Sequence, residues 1–367
     1  MPFHIATSIV FDFDLFAERA AADQGPRHNL YQLSQQLNAQ IHQPNSDAIQ
    51  PIDRVLAKIC SQPQHWALAR QLITQLHPGD TVYCPGEDMG FPLALLALRS
   101  SHKPHLIIGV MAPERPRCRL LMRFLEPWQG RHVYVTNVQT KADYIKSLLN
   151  IGDDRVAVLR EKTDAQFFRP SPKEALARPI IASAGLEQRD YVTLAAATQD
   201  LPVDVRVCAV SPNHSDQQRT AIPPQLPTNM EMRYYDWVEL RQLYQQCSIT
   251  VISLLQNHYS AGLTVLMEAM ACARPVIMTR TPGLAETMID KGLVLGVRAG
   301  DAAELRQGIQ QLLTRPEAAE EMAQAAHQYF LAHHRSDLHV EDLAVLMQRG
   351  ASGPNVTTPE PNMISSS

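Results

Sequence analysis

Gly262 and Glu268 stand six residues apart where an apolar run gives way to a helix-patterned segment, and their types suit the binding of a phosphorylated ligand. The β-branched run Ile249 to Ile252 reads as a buried strand, Gln256 to Gly262 as a polar loop, and Leu263, Leu266, Met267 and Met270 recur at helical spacing. A helix N-terminus attracts anions through its unpaired N–H groups and its dipole, and a glycine there lets a phosphate approach the backbone closely. Glu268 lies inside that helix, before the small residues Ala269, Ala271 and Ala273. A carboxylate in this position is either solvated on an outer face or aimed at a ligand, and periodicity alone leaves both readings open. A second group is the segment PERPRCRLLMR, which gathers Arg115, Arg117, Arg119 and Arg123 at the head of an apolar helix. That pattern is either a solvated helix face or a contact for anionic lipid or a phosphorylated acceptor, since clustered guanidinium groups suit phosphate.

The elements that must position these residues alternate between short β-branched runs and longer stretches of helical period, as in an α/β fold of parallel strands joined by helical crossovers. Strands are expected at Phe3 to Val10, Asp80 to Cys84, His105 to Val110, Val133 to Thr136 and Arg155 to Leu159. A second set follows at Pro179 to Ala184, Asp204 to Val210, Glu231 to Tyr235, Ser248 to Ser253, Pro275 to Thr279 and Leu293 to Val297. The helix Ala303 to Leu313 aligns Leu305, Ile309, Leu312 and Leu313, with Asp301 and Glu304 placed as its N-terminal cap. Three prolines in FFRPSPKEALARP set a hinge near residue 170, giving domains 1–170 and 171–349, the last helix of the second being free to pack back on the first. Residues 350–367, poor in apolar side chains, read as a disordered tail. Gln24 to Pro44 contains two stretches without strong periodicity, expected to frame a loop over the cleft between the domains.

The 367 residues suffice for two cores, and 45% apolar with 19% charged residues excludes a fibrous or largely disordered chain. A net charge of −4 argues against a general nucleic-acid binder. The six cysteines show no C-x-x-C spacing, so buried thiols in a reducing compartment are expected, with no metal ligand cluster. The start of the chain lacks a basic n-region and is interrupted by Asp12 and Asp14, and no apolar run approaches the roughly 20 residues needed to span a bilayer. The expected location is the cytoplasm, with room for peripheral contact at the inner membrane face through the four arginines.

The run Ala261, Gly262, Leu263, Thr264, Val265, Leu266, Met267, Glu268, through Ala269 to Arg274 and on to Pro275 and Val276, then Gly283, Leu284 and Glu286, resembles the donor-site signature of retaining glycosyltransferase family 4, the group 1 glycosyl transferases. Thr136 to Pro170, with Asp164, Phe168 and Pro170, is similar to the end of that family's acceptor domain, and Pro179 to Ala184 followed by GLEQRDYVTLAAA to the first turn of its donor domain. The resemblance implies the GT-B architecture, two Rossmann-like domains facing across a cleft. It further implies transfer of a sugar from a UDP-, GDP- or ADP-sugar to a hydroxyl acceptor with retention of configuration, without a metal or other cofactor. By resemblance Glu268 holds the donor ribose, the helix N-terminus at Ala261, Gly262, Leu263 and Thr264 receives the diphosphate, and Gly185 and Arg189 belong to the phosphate turn. The loop at Tyr235 and Trp237 falls where such enzymes hold the base, although aromatic residues in that pattern equally suit a core.

The sequence departs from the family pattern at three places. Ser260 stands eight positions before Glu268, where the family carries an acidic residue against the sugar. In the phosphate turn Leu186 takes the usual arginine position and leaves Arg189 as the one cation. The N-terminal half shows no glycine-rich turn beyond Gly25, and Val110 and Met111 stand where many members have a histidine, leaving His28 as a substitute. Arg189, Ser260 and Glu268 are the expected catalytic set. The rival reading is a GT-B protein that binds a nucleotide or sugar without transferring it.

Overall fold

The computed structural model describes residues 2–100, 103–129, 132–172, 176–209, 220–257 and 261–352. In chain order the first half gives β1 (Phe3–Ala6), α1 (Phe13–Ala21), α2 (Asn29–Leu37), β2 (Gln40–His42), α3 (Pro51–Leu56), α4 (Pro63–Ile73), β3 (Thr81–Cys84), α5 (Glu87–Ala97), β4 (His105–Gly109), α6 (Pro116–Gln129), β5 (Val133–Thr136), α7 (Gln139–Leu149) and β6 (Val156–Val158). The second half gives β7 (Ile180–Ala184), α8 (Tyr191–Thr198), β8 (Asp204–Cys208), β9 (Met230–Arg233), α9 (Trp237–Gln246), β10 (Ile249–Ile252), α10 (Leu263–Ala271), β11 (Val276–Thr279), α11 (Leu284–Asp290), β12 (Leu295–Val297), α12 (Ala302–Thr314), α13 (Pro316–His333) and α14 (Ser336–Ser352).

Two compact units result. The first holds residues up to Asp12, Asn29–Leu159 and the chain from Val340; the second holds Phe13–His28 and Arg160–His339. Each has one parallel sheet of six strands, ordered β2-β1-β3-β4-β5-β6 and β12-β11-β10-β7-β8-β9. Strands covered on both faces lose the polar alternation of a half-exposed sheet, which is why β10 reads ITVI and is buried at every position. In the first unit Leu72, Met89, Leu93, Ile108 and Met122 pack one face, and Ile5, Leu33, Val135, Leu343 and Met347 the other. In the second unit Ile181, Leu194, Val205 and Ile309 fill one face, and Ala182, Tyr244, Leu266, Met270 and Phe330 the other. Numbered from β7, the second sheet follows the doubly wound order 3-2-1-4-5-6, whose strand order reverses between β7 and β10. Ligands of such sheets bind outside the carboxyl ends of the two strands at that reversal.

Three expectations are corrected. Gln24 to Pro44 is not one loop, since it contains α2 and the edge strand β2, which pairs with β1 from His4↔Gln40 to Ala6↔His42. Phe13–His28 belongs with the second unit. Its Asp23 pairs with Arg169 at 2.7 Å and Arg241 at 2.7 Å, and the Arg27 amide and Nε bond Asp164 at 2.9 and 3.0 Å. The tail does not start at Gly350, because α14 runs to Ser352 and the absent side chain of Gly350 lets the helix lie against His105, whose ring a Cβ would meet at 1.9 Å. Residues 353–367 of the expected tail lie outside the described residues. No helix among the described residues is long and apolar enough to cross a membrane.

Candidate functional site

The two loops at the strand-order reversal are stitched to one another by main-chain bonds. The amide of Asp190 donates to Ser253 O at 3.0 Å, and that of Leu255 to Gln188 O at 2.8 Å. The Ser253 hydroxyl donates to Asp190 O at 2.7 Å. Asp190 then caps α8, accepting from the Thr193 amide at 2.9 Å. The turn after β7 and the loop after β10 therefore move as one piece, as a site needing fixed geometry requires.

Arg189 is enclosed between these loops, with 4% of its surface exposed. Its Nε donates to Ala184 O at 2.8 Å and its Nη1 to Glu187 O at 2.6 Å. The guanidinium fills the space left by two glycines. A Cβ on Gly185 would come within 2.4 Å of Nη2, and one on Gly262 within 3.4 Å of Nη1 and 2.7 Å of Ile252 Cγ2. Both glycines hold positive φ, +96° and +77°, so side chains are opposed twice, by backbone strain and by contact. Burial pulls the Arg189 pKa down, while Tyr191, Tyr244, Glu187 and Glu268 oppose the shift. Leu186, at the position of the family's other cation, is buried, and its carbonyl accepts the Thr220 hydroxyl.

Gly262 is the N-cap of α10 and, as a glycine, supplies no side-chain cap to the first turn of that helix. Ala261 and Leu263 are buried and contribute main chain, whereas Thr264 is exposed. Two turns in, Glu268 is 4% exposed, so the solvated-face reading does not hold. Its Oε2 accepts the Tyr244 hydroxyl at 3.0 Å, and Oε1 has no hydrogen bond among the described residues. Burial pushes the Glu268 pKa up to about 8; the Tyr244 bond and the Arg189 charge pull it the other way. A carboxyl held by one tyrosine, with one oxygen open and beside a buried guanidinium, is a polar group awaiting partners.

Ser260 lies outside the described residues, together with His258 and Tyr259. Tyr235 sits in the core, one face of its ring covered by the Arg233 guanidinium at 3.7 Å. Trp237 opens α9 partly exposed, edge-on to Phe168 at 6.4 Å and beside Gly25, where a Cβ would meet its ring at 3.6 Å. His28 is packed between Phe13 and Phe16, each ring centre 5.0 Å away, and burial lowers its pKa to about 4. Met111 is exposed, its amide donating to Glu87 Oε2 at 3.0 Å. Tyr244 was missed in the sequence because its spacing with Leu240 and Leu243 reads as helix core, and its bond to Glu268 joins two helices 24 residues apart.

Residues 187–315 match the family model described as glycosyl transferases group 1. The match contains Arg189, Gly262 and Glu268, so the second unit carries a segment of group 1 glycosyltransferase type at the strand-order reversal. Among solved structures, sucrose-phosphate synthase from Thermosynechococcus elongatus superposes with a TM-score of 0.68 at 14% identity, over 95% of this chain and 98% of that one. The α,α-trehalose-phosphate synthase (UDP-forming) of Burkholderia vietnamiensis gives 0.67 at 12% identity, over 97% and 98%. Anabaena HepE, solved in complex with UDP and glucose, gives 0.63 at 13% identity, over 94% and 99%. These likenesses establish the fold, which is GT-B, with two Rossmann-like units. Comparison with curated proteins gives no match.

Proposed function

We propose that the protein transfers a sugar from a nucleoside-diphosphate donor to a hydroxyl acceptor with retention of configuration at the sugar carbon. The observation that carries the reading is the buried Glu268, with one oxygen unbonded among the described residues, on a helix whose N-cap is Gly262, packed against the buried Arg189. Ribose hydroxyls supply the partners that Glu268 Oε1 lacks. The diphosphate supplies the anion that both the first turn of α10 and Arg189 favour. In the transfer, the bond from the sugar carbon to the terminal phosphate oxygen breaks and its electron pair leaves with the nucleoside diphosphate. The acceptor oxygen bonds that carbon from the same face and passes its proton to the departing diphosphate oxygen. Arg189 and the α10 amides lower the barrier by stabilising charge that grows on the leaving diphosphate, in a place where water does not screen it.

The matched group 1 segment and the neighbours solved with UDP, or named as UDP-forming, support this reading. Ser260 is proposed to face the donor sugar, so Ser260→Ala lowers transfer while leaving affinity for the free nucleoside diphosphate nearly unchanged. The test is incubation with UDP-, GDP- and ADP-sugars, following nucleotide binding, nucleotide release and the anomeric form of the product by NMR. Release with a retained anomer is expected; binding without release from any donor, over a broad acceptor screen, sinks the catalytic reading and leaves a binding protein.

A further inference from the structure

Helix α6 carries two apolar stripes, and only one is used by the fold. Cys118, Leu121, Met122 and Leu125 face the core of the first unit. Leu120 and Phe124, one turn apart on the opposite side, are 70% and 51% exposed. At about 100° per residue, Arg117 falls on one flank of this outer ridge and Arg119 and Arg123 on the other. Arg115 stands just before the helix, and all four arginines are exposed. None of them forms an ion pair among the described residues. Of the acidic residues nearby, Glu126 is bonded to Arg155 at 3.0 Å and Glu87 to the Met111 amide, leaving Glu114 and Asp88 near the N-terminal end of the helix.

We infer that this outer face of α6 docks the protein on an anionic lipid surface, with Leu120 and Phe124 entering the acyl boundary and Arg115, Arg117, Arg119 and Arg123 pairing with phosphate headgroups. Charge and shape select this occupant over two others. A second copy of the same face brings four arginines against four. A soluble polyanion satisfies the guanidinium groups but leaves a leucine and a phenylalanine in water. A bilayer with anionic headgroups meets both needs, because the amphipathic helix lies in the interface plane with its apolar ridge down and its cations at headgroup level. The inference does not rest on the donor site, which lies in the other unit.

The full-length protein is sedimented with vesicles of phosphatidylcholine alone and of equal parts phosphatidylcholine and phosphatidylglycerol, with inorganic polyphosphate as a soluble competitor. Binding to the mixed vesicles and not to the neutral ones is expected. Each neutralisation among Arg117→Gln, Arg119→Gln and Arg123→Gln should weaken partitioning by about fivefold. Leu120→Ser with Phe124→Ser should weaken it by roughly tenfold or more at constant charge. Because these side chains are exposed, both kinds of variant should keep the parent's circular dichroism and melting temperature. Equal binding to neutral and anionic vesicles overturns the inference. So does indifference of vesicle binding to Leu120→Ser and Phe124→Ser combined with full competition by polyphosphate, which would make the face a polyanion site.

Discussion

The two units are built to one plan, yet one buried carboxyl in each, Asp53 and Glu268, is treated in the opposite way. In the first, Asp53 is fully buried, but its oxygens are taken by Arg70 at 2.9 and 3.1 Å and by the Gln50 amide at 2.8 Å. In the second, Glu268 has one hydrogen-bond partner among the described residues, Tyr244, and burial moves its pKa so far that the protonated form persists near neutrality. Taking an ion out of water costs several kcal/mol unless partners replace the solvent. A closed set of partners marks Asp53 and Arg70 as a structural pair, and the proposed function has a ligand complete the set at Glu268.

The comparison can be broken at several points, and the largest effect should come from Arg189. Arg189→Ala removes the buried cation and should weaken nucleoside diphosphate binding by about 2–5 kcal/mol while sparing the nucleoside, as measured by calorimetric titration. Equal losses for the two ligands would mean that Arg189 serves the fold alone. Glu268→Ala should cost about 1.5–3 kcal/mol of nucleotide affinity with the fold intact. Unchanged affinity would remove the ribose role.

A pH series separates the two kinds of carboxyl. Between the unfolded carboxyl value near 4.5 and about 8, unfolded Glu268 has lost its proton while the folded one keeps it, so stability falls as pH rises. The parent should lose on the order of 2 kcal/mol between pH 5 and pH 7 relative to Glu268→Gln, in denaturant titrations at each pH. Asp53 has the opposite sign, because its pKa is lowered. Burial opposes that shift and is outweighed by Arg70 and the Gln50 amide, so its contribution is lost as pH falls through the acid range. Asp53→Asn should cost about 2 kcal/mol of stability at neutral pH and leave nucleotide affinity untouched. The smallest effect belongs to Tyr244→Phe, which should cost about 0.5–1.5 kcal/mol of nucleotide binding by freeing Glu268 to turn. That loss should shrink for the 2′-deoxynucleotide if Glu268 meets the ribose there.

Much of the scaffold is readable along the chain, since each strand run identified in the sequence overlaps a strand in the structure, with its bounds shifted by a few residues at most sites. Central strands such as β10 and β11 are buried on both faces, and burial writes itself as an unbroken apolar run. The cap at α12 is equally local, with Asp301 accepting from the Glu304 amide at 2.9 Å. The edge strand β2 escaped because three partly exposed residues, Gln40, Ile41 and His42, carry no such run. At the site, Gly262 and Glu268 are placed by residue order within one strand, loop and helix. The Tyr244 bond, the burial of Glu268 and the clasp of Arg189 by two glycines depend on how three separate stretches meet at the sheet, and no spacing in the sequence encodes that. The attachment of Phe13–His28 to the second unit is of the same kind, resting on ion pairs between residues far apart in sequence, such as Asp23 and Arg241.

That exchange of chain segments bears on how the protein emerges from the ribosome. The first unit has its strands by Val158 but lacks α14, whose Val340, Leu343 and Met347 close one face of its sheet. About 180 further residues must be synthesised before that face can be covered, which at bacterial-type elongation rates takes roughly 10–40 seconds. During that interval Ile5, Leu33 and Val135 border an incomplete core, and α1 has left the tunnel long before the arginine of α9 that its adjoining loop will bind. Nascent chains halted before and after residue 340 should therefore differ sharply in the protease resistance of the first unit, and cutting the chain between Leu159 and Arg160 would deprive each half of a piece made by the other.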